Sequence, residues 1–132
     1  MHTSEMASTH PRGSTTAELI ACIDECYACS QACTACADAC LAEDDVAELR
    51  RCIRLNLDCA DVCAAAGAVL TRQTEPESAL VAKLLEACRD ACRRCAEECE
   101  QHADHHRHCF ECAEACRACE EACTAALAAT RA

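Results

Sequence analysis

The chain of 132 residues predicts an all-α fold, an antiparallel up-down-up-down four-helix bundle with a cysteine-lined core. Three observations carry that reading. Buried-type positions recur in alternating steps of three and four in four successive segments, the stripe of an amphipathic helix. The residues between them are mostly Ala, Glu, Arg and Asp, with only two Gly and two Pro in the whole chain. No segment shifts to the period of two that a strand requires.

The first seam runs Cys22, Cys26, Cys29, Cys33, Cys36 and Cys40. The second is Leu49, Cys52, Asn56, Cys59, Cys63, Ala66 and Leu70, and the third Leu85, Cys88, Cys92, Cys95, Cys99 and His102. The fourth is His105, Cys109, Cys112, Cys116, Cys119, Cys123 and Ala126. Start signals precede each segment. Thr15 to Glu18 reads as a capping box and Asp45 to Glu48 as its Asp-capped equivalent. Thr74, Glu75, Pro76 and Glu77 form a third start with Pro just inside, and Asp104 a fourth. Helices are therefore expected near 16–41, 46–71, 76–102 and 105–129, each about 38 Å long at ~1.5 Å per residue. Connections of a few residues make neighbouring helices antiparallel. Residues 1–14 are polar and aperiodic and read as a flexible arm, leaving 15–132 as one four-helix-bundle domain.

This topology sorts the two ends. Leu19, Ile20, Val69, Leu70, Leu80, Val81, Leu84 and Leu127 gather where the bundle's chain ends meet and form an aliphatic plug. Cys40, the acidic turn Glu43, Asp44 and Asp45, and the histidines 102, 105, 106 and 108 gather at the other end. Traffic is expected through that polar mouth.

Composition bounds the partners. A formal charge of −11 and a pI near 4.8 argue against nucleic acid and anionic membrane surfaces. No apolar run approaches the roughly 18 residues of a membrane span. The first residues have neither the basic nor the apolar region of a secretory signal, so the expected compartment is the cytosol, where thiols stay reduced. No phosphate-binding glycine loop, zinc-protease motif or activated serine is present, and repeated equivalent thiols argue for capacity over catalysis.

Eighteen cysteines could be disulfide staples, metal ligands or small buried side chains. Eighteen on four matched stripes exceed any need for small hydrophobes. Cysteines three or four apart on a helix have Cβ atoms about 5–6 Å apart, whereas a disulfide wants roughly 3.8 Å. A metal ion between two sulfurs removes that gap. All-thiolate sites suit Cu(I), Zn(II) or iron–sulfur clusters. The ferredoxin spacing is absent, and straight helices present a continuous ladder rather than the converging loop pairs typical of zinc. Charge favours a monovalent ion. On the order of one Cu(I) per buried thiolate leaves a neutral interior, and uncompensated buried charge is costly. A zinc buffer of metallothionein type and a thiol redox reservoir are the alternatives.

Beside the ladder, His105 lies four residues before Cys109 and His108 four before Cys112, so both could pass copper to the first thiolates, with His102 near them. The competing reading makes this stretch a solvated turn. His106 is expected to point to the surface. Asn56 stands where the second seam wants a cysteine, either fixing register or lining the channel. His2, Met6 and His10 could bind metal weakly from the arm.

Four helices with CxxxC and CxxC seams and a histidine-bearing mouth closely resemble the cytosolic branch of the bacterial copper storage proteins, over roughly residues 16–130. The resemblance implies a four-helix bundle storing many Cu(I) ions on inward-facing thiolates from all eighteen cysteines. It also implies a homotetramer; a copper chaperone or copper-requiring enzyme is the expected recipient of the cargo. Exported members carry methionines near the entrance; here Met1 and Met6 lie only in the arm, so the histidines take that place.

Overall fold

A computed structural model describes residues 1–13 and 15–131. Its elements are α1 (Thr3–Thr9), α2 (Ala17–Leu41), a short 3-10 turn (Val46–Leu49) leading into α3 (Arg50–Thr71), α4 (Ser78–His102) and α5 (Arg107–Arg131). No strand occurs among the described residues. Helix α2 packs on α3 and α5, and α4 packs on the same two, which makes a square bundle around one axis. The cysteine seams face that axis because the steps of three and four keep them on one side of each helix.

Helix starts follow the caps loosely. Thr16 rather than Thr15 caps α2, its hydroxyl accepting from the Leu19 N–H at 3.2 Å. The Thr15 hydroxyl is buried without a partner. Asp45 precedes the 3-10 turn but its carboxylate makes no cap and turns to His106 instead. Helix α4 starts at Ser78, later than expected, because Glu75 adopts a left-handed φ of 55° and the Thr74 hydroxyl meets His10 at 3.2 Å. Helix α5 starts at Arg107, with the His106 carbonyl accepting from Cys109 and Phe110.

Residues 1–14, expected as an aperiodic arm, contain α1. It is tied down from three sides. Thr3 donates to Asp24, His10 meets Thr74, and Arg12 pairs with Glu75 at 3.5 Å. A groove of about 420 Å³, lined by Met1, Met6, Ile23 and Tyr27 among others, separates α1 from the bundle. Seven residues with no buried side chain give α1 too little core to be recognised as a helix from periodicity.

The plug is narrower than the sequence suggests. Leu70, Leu85 and Leu127 are buried with Ala66 and Ala126, while Leu19, Ile20, Val69, Val81 and Leu84 are only partly covered. Leu80 is a correction to the expected plug: it lies in the first turn of α4, which begins just two residues earlier, and is 55% exposed. Gly67 of α3 packs directly against Tyr27 of α2. A Cβ there would lie 2.9 Å from a ring carbon of Tyr27, so the missing side chain, at some cost in helix stability, lets the ring lie flat on α3.

Candidate metal centre

All eighteen cysteines are free thiols, and every one is 0–1% exposed. Their sulfurs form a continuous column along the axis. At the plug end Cys22 and Cys123 are 3.7 Å apart, followed by Cys26 with Cys88 and Cys119, each at 3.9 Å. Cys63 lies 3.6 Å from both Cys88 and Cys92. In mid-bundle Cys29 is 3.7 Å from Cys116 and 3.9 Å from Cys59 and Cys92. Cys33 is 3.6 Å from Cys116, 3.7 Å from Cys112 and 3.9 Å from Cys95. Toward the mouth come Cys52 with Cys99 at 3.7 Å and Cys36 with Cys109 at 3.9 Å. The pairs 26/88, 29/92 and 33/95 span the diagonal between α2 and α4, so sulfurs of facing helices meet across the axis.

Several sets of four ligand atoms lie within 4.8 Å of one another. They include Cys26, Cys88, Cys119 and Cys123; Cys29, Cys33, Cys59 and Cys116; Cys29, Cys59, Cys63 and Cys92; and Cys33, Cys95, Cys112 and Cys116. Quartets therefore exist, which the sequence reading of an unbroken ladder did not anticipate. They share corners: Cys29 and Cys59 belong to two, as do Cys33 and Cys116.

Burial disfavours thiolate. Cys40, nearest the mouth, is pushed up to about 11 by burial and then by the neighbouring Cys52. Cys33 is raised by Cys112, Cys116 and Cys29, with burial adding to it, and Cys92 is raised by Cys119, Cys29 and Cys59. Hydrogen bonds from neighbouring thiols shift Cys29, Cys59 and Cys88 the other way, so raised and lowered groups alternate along the column and a bound cation would displace protons chiefly from the raised ones.

Asn56, fully buried, stands level with the mouthward half of the column. Its Oδ1 accepts from the thiols of Cys95 (3.0 Å), Cys99 (3.4 Å) and Cys112 (3.4 Å), and its Nδ2 faces Cys52 at 3.7 Å. Both readings of this residue meet in that geometry: it lines the channel, and it ties α3 to α4 and α5 in one register.

The mouth histidines divide sharply. His108 Nδ1 lies 3.4 Å from Cys36 Sγ and 3.7 Å from Cys109 Sγ, completing a set of ligand atoms with Cys40. His102 Nε2 meets Glu98 Oε2 at 2.8 Å, and Glu98 also faces Arg51 at 3.4 Å. His105 is exposed in the α4–α5 turn, outside the helical register that was to align it with Cys109. His106, expected to point away, is half-buried. Its Nδ1 is 2.8 Å from Glu43 and its Nε2 3.0 Å from Asp45. The Asp45 hydrogen bond raises His106 above the ordinary histidine value, and the same bond holds Asp45 below the ordinary carboxylate value. In the arm, His10 has both nitrogens engaged, Nδ1 by the Arg12 N–H and Nε2 by Thr74.

Sequence reasoning named the thiols but missed the carboxylates that hold the histidines. The spacing of Glu98 and His102, four apart on one helix, was a readable signal. Nothing local links Glu43 to His106 and His108, which lie more than 60 residues away on the opposite connection.

The family model for copper storage proteins matches residues 15–128. The chain belongs to that family. A Streptomyces lividans copper storage protein loaded with 10 copper equivalents superposes with a TM-score of 0.92 at 48% identity, covering 96% of this chain and 98% of that one. A second structure, of a cytosolic copper storage protein from the same organism loaded with five coppers, gives 0.83 at 53% identity over 84% and 92% of the two chains. No curated protein matches the chain. No helix is long and apolar enough to cross a membrane.

Proposed function

We propose that this chain stores copper in the cytosol, holding many Cu(I) ions on the thiolates of its eighteen cysteines, on the order of one per cysteine. The observation that carries the reading is the closed column of free, dry thiols, with successive sulfurs 3.6–3.9 Å apart. The mechanism follows from charge. A Cu(I) ion arriving at the mouth meets His108, Cys36, Cys40 and Cys109, displaces thiol protons, and leaves a neutral metal–thiolate unit that the apolar surroundings accept. Further ions pass inward by exchange between adjacent sulfurs, because every thiol has a neighbour within reach of a shared ion. The helix cap at Thr16 and the leucine plug use no cysteine, so the helices do not depend on the ligands that filling engages. His102 and His105 join His108 as metal contacts at the mouth in the widest form of this proposal. Storage in place of catalysis, assembly as a homotetramer and delivery to a copper chaperone or copper-requiring enzyme complete it.

One observation favours the zinc alternative. A tetrahedral ZnS₄ site with Zn–S of ~2.3 Å has sulfur–sulfur edges of about 3.8 Å, which the separations of Cys29 from Cys33 (3.8 Å), Cys59 (3.9 Å) and Cys116 (3.7 Å) match. Charge and sharing decide against it. A tetrathiolate zinc unit keeps two negative charges in a dry core, and quartets with common corners cannot all be filled as separate tetrahedra. The redox reservoir fares worse, because sulfurs at 3.6–3.9 Å must close to about 2.05 Å, and helices that carry several such pairs cannot close them all together.

An anaerobic Cu(I) titration of the reduced chain against a competing chelator, read by native mass spectrometry, tests the proposal. Retention of many ions per chain is expected, with the tetramer visible in the same spectrum. Zinc saturating near one ion per four thiols and resisting displacement by Cu(I) would overturn it.

A further inference from the structure

We infer that Glu43 is the positioning residue of the mouth site: its carboxylate fixes the tautomer of His108 and aims Nδ1 at the first thiols. The inference rests on the storage reading and adds to it the group that makes the mouth competent before metal arrives. Glu43 Oε2 lies 2.8 Å from His108 Nε2. An ionised carboxylate can only accept, so Nε2 carries the proton and, in the neutral ring, the lone pair is left on Nδ1. That lone pair faces Cys36 Sγ at 3.4 Å and Cys109 Sγ at 3.7 Å. A carboxylate behind an imidazole is the usual device by which proteins orient a metal-binding histidine and raise its basicity.

Three further features make Glu43 a built support rather than a passing surface contact. The same Oε2 accepts from His106 Nδ1 at 2.8 Å, and His106 Nε2 is held in turn by Asp45 at 3.0 Å. His106 stacks on His108 with ring centres 5.4 Å apart, so the two rings share one orientation. Finally, Glu43 sits in the α2–α3 connection while His108 opens α5, so the contact also laces two connections across the mouth. Glu43 itself is a hard oxygen donor and a poor ligand for a soft cuprous ion, so its part is played through His108.

The test compares the reduced apo chain with its Glu43→Ala, Glu43→Gln and His106→Ala variants. Nitrogen-15 NMR of the imidazoles reads the tautomer, and stopped-flow mixing with chelator-delivered Cu(I) reads uptake. His108 should be protonated at Nε2 in the parent chain, become a tautomer mixture in Glu43→Ala, and recover in Glu43→Gln, whose carbonyl still accepts. Uptake should slow on the order of 10-fold in Glu43→Ala at unchanged final capacity, while His106→Ala, which spares the Glu43–His108 bond, should keep the parent tautomer. An Nε2-protonated His108 and parental uptake in Glu43→Ala would overturn the inference with storage intact. If Glu43→Ala does not fold, a mixed His108 tautomer in Glu43→Gln or in the parent chain overturns it equally. Failure of the parent chain to retain Cu(I) would instead overturn the storage reading, and with it the part assigned to Glu43 in uptake.

Discussion

At the plug end, Leu70, Leu85 and Leu127 close the bundle with side chains that carry no titratable group, whereas at the mouth Glu43, Asp45, His106 and His108 close it with four that do. The plug works by non-directional burial, worth about 1.5–3 kcal/mol per large aliphatic side chain, and needs only the right volume. The mouth works by hydrogen bonds at defined angles, which hold a shape but are readily exchanged for bonds to water or metal. Closure by burial and closure by exchangeable polar contacts are thus assigned to opposite ends, with the thiols between them.

The comparison breaks most visibly at Leu85, which is 0% exposed. Leu85→Ala should destabilise the reduced apo chain by about 2–5 kcal/mol in chemical denaturation while leaving the number of copper ions bound unchanged. A matching loss of metal capacity would show that plug and column are not separable. Next comes Asn56, whose loss strips an amide acceptor from three thiols. Asn56→Ala should cost about 1–3 kcal/mol in the same assay. If stability were untouched, the register role of Asn56 would fall and its place beside the metal path would remain. Leu80 supplies the control: Leu80→Ala, at an exposed position near the plug, should shift stability by less than about 0.5 kcal/mol.

The smallest effect belongs to the mouth. The folded-state value of His106 lies above its ordinary 6.5, so the stability it contributes is fully present below pH 6.5 and fades as pH rises through the folded value. Asp45 is shifted the other way from its ordinary 3.8, so its contribution is present above that pH and is lost as pH falls through the lowered value. Thermal midpoints of the reduced apo chain and its His106→Gln variant should therefore differ most between about pH 4 and 6.5 and converge in mildly alkaline buffer. A gap that widened toward alkaline pH would mean that His106 is held as a neutral ring.

The cysteine seams were legible in the sequence because period and chemistry coincide there: steps of three and four set the face, and sulfur sets the cargo. The same regularity located α2, α4 and α5 to within two residues at each expected start and end, while α3 begins four residues later than expected because its first turn is 3-10. What escaped detection lacked a periodic signal. Helix α1 has no buried side chain, and the late start of α4 depends on one left-handed residue, Glu75. At the mouth, assigning His105 to a helical register failed because the chain is still turning there, and His106 was passed over because its partners lie on another connection. Long-range polar contacts are set by how connections meet, and spacing along a single segment carries no record of that.

The sharing of Cys29, Cys59, Cys33 and Cys116 between quartets has a consequence for how loading must be measured. If the quartets hold copper, an ion seated in one set engages two donors of the next, so occupancies along the axis are correlated and a single dissociation constant cannot describe the isotherm. A partly filled population is then a distribution of polynuclear assemblies of different nuclearity, and its average composition alone does not say which sulfurs are taken.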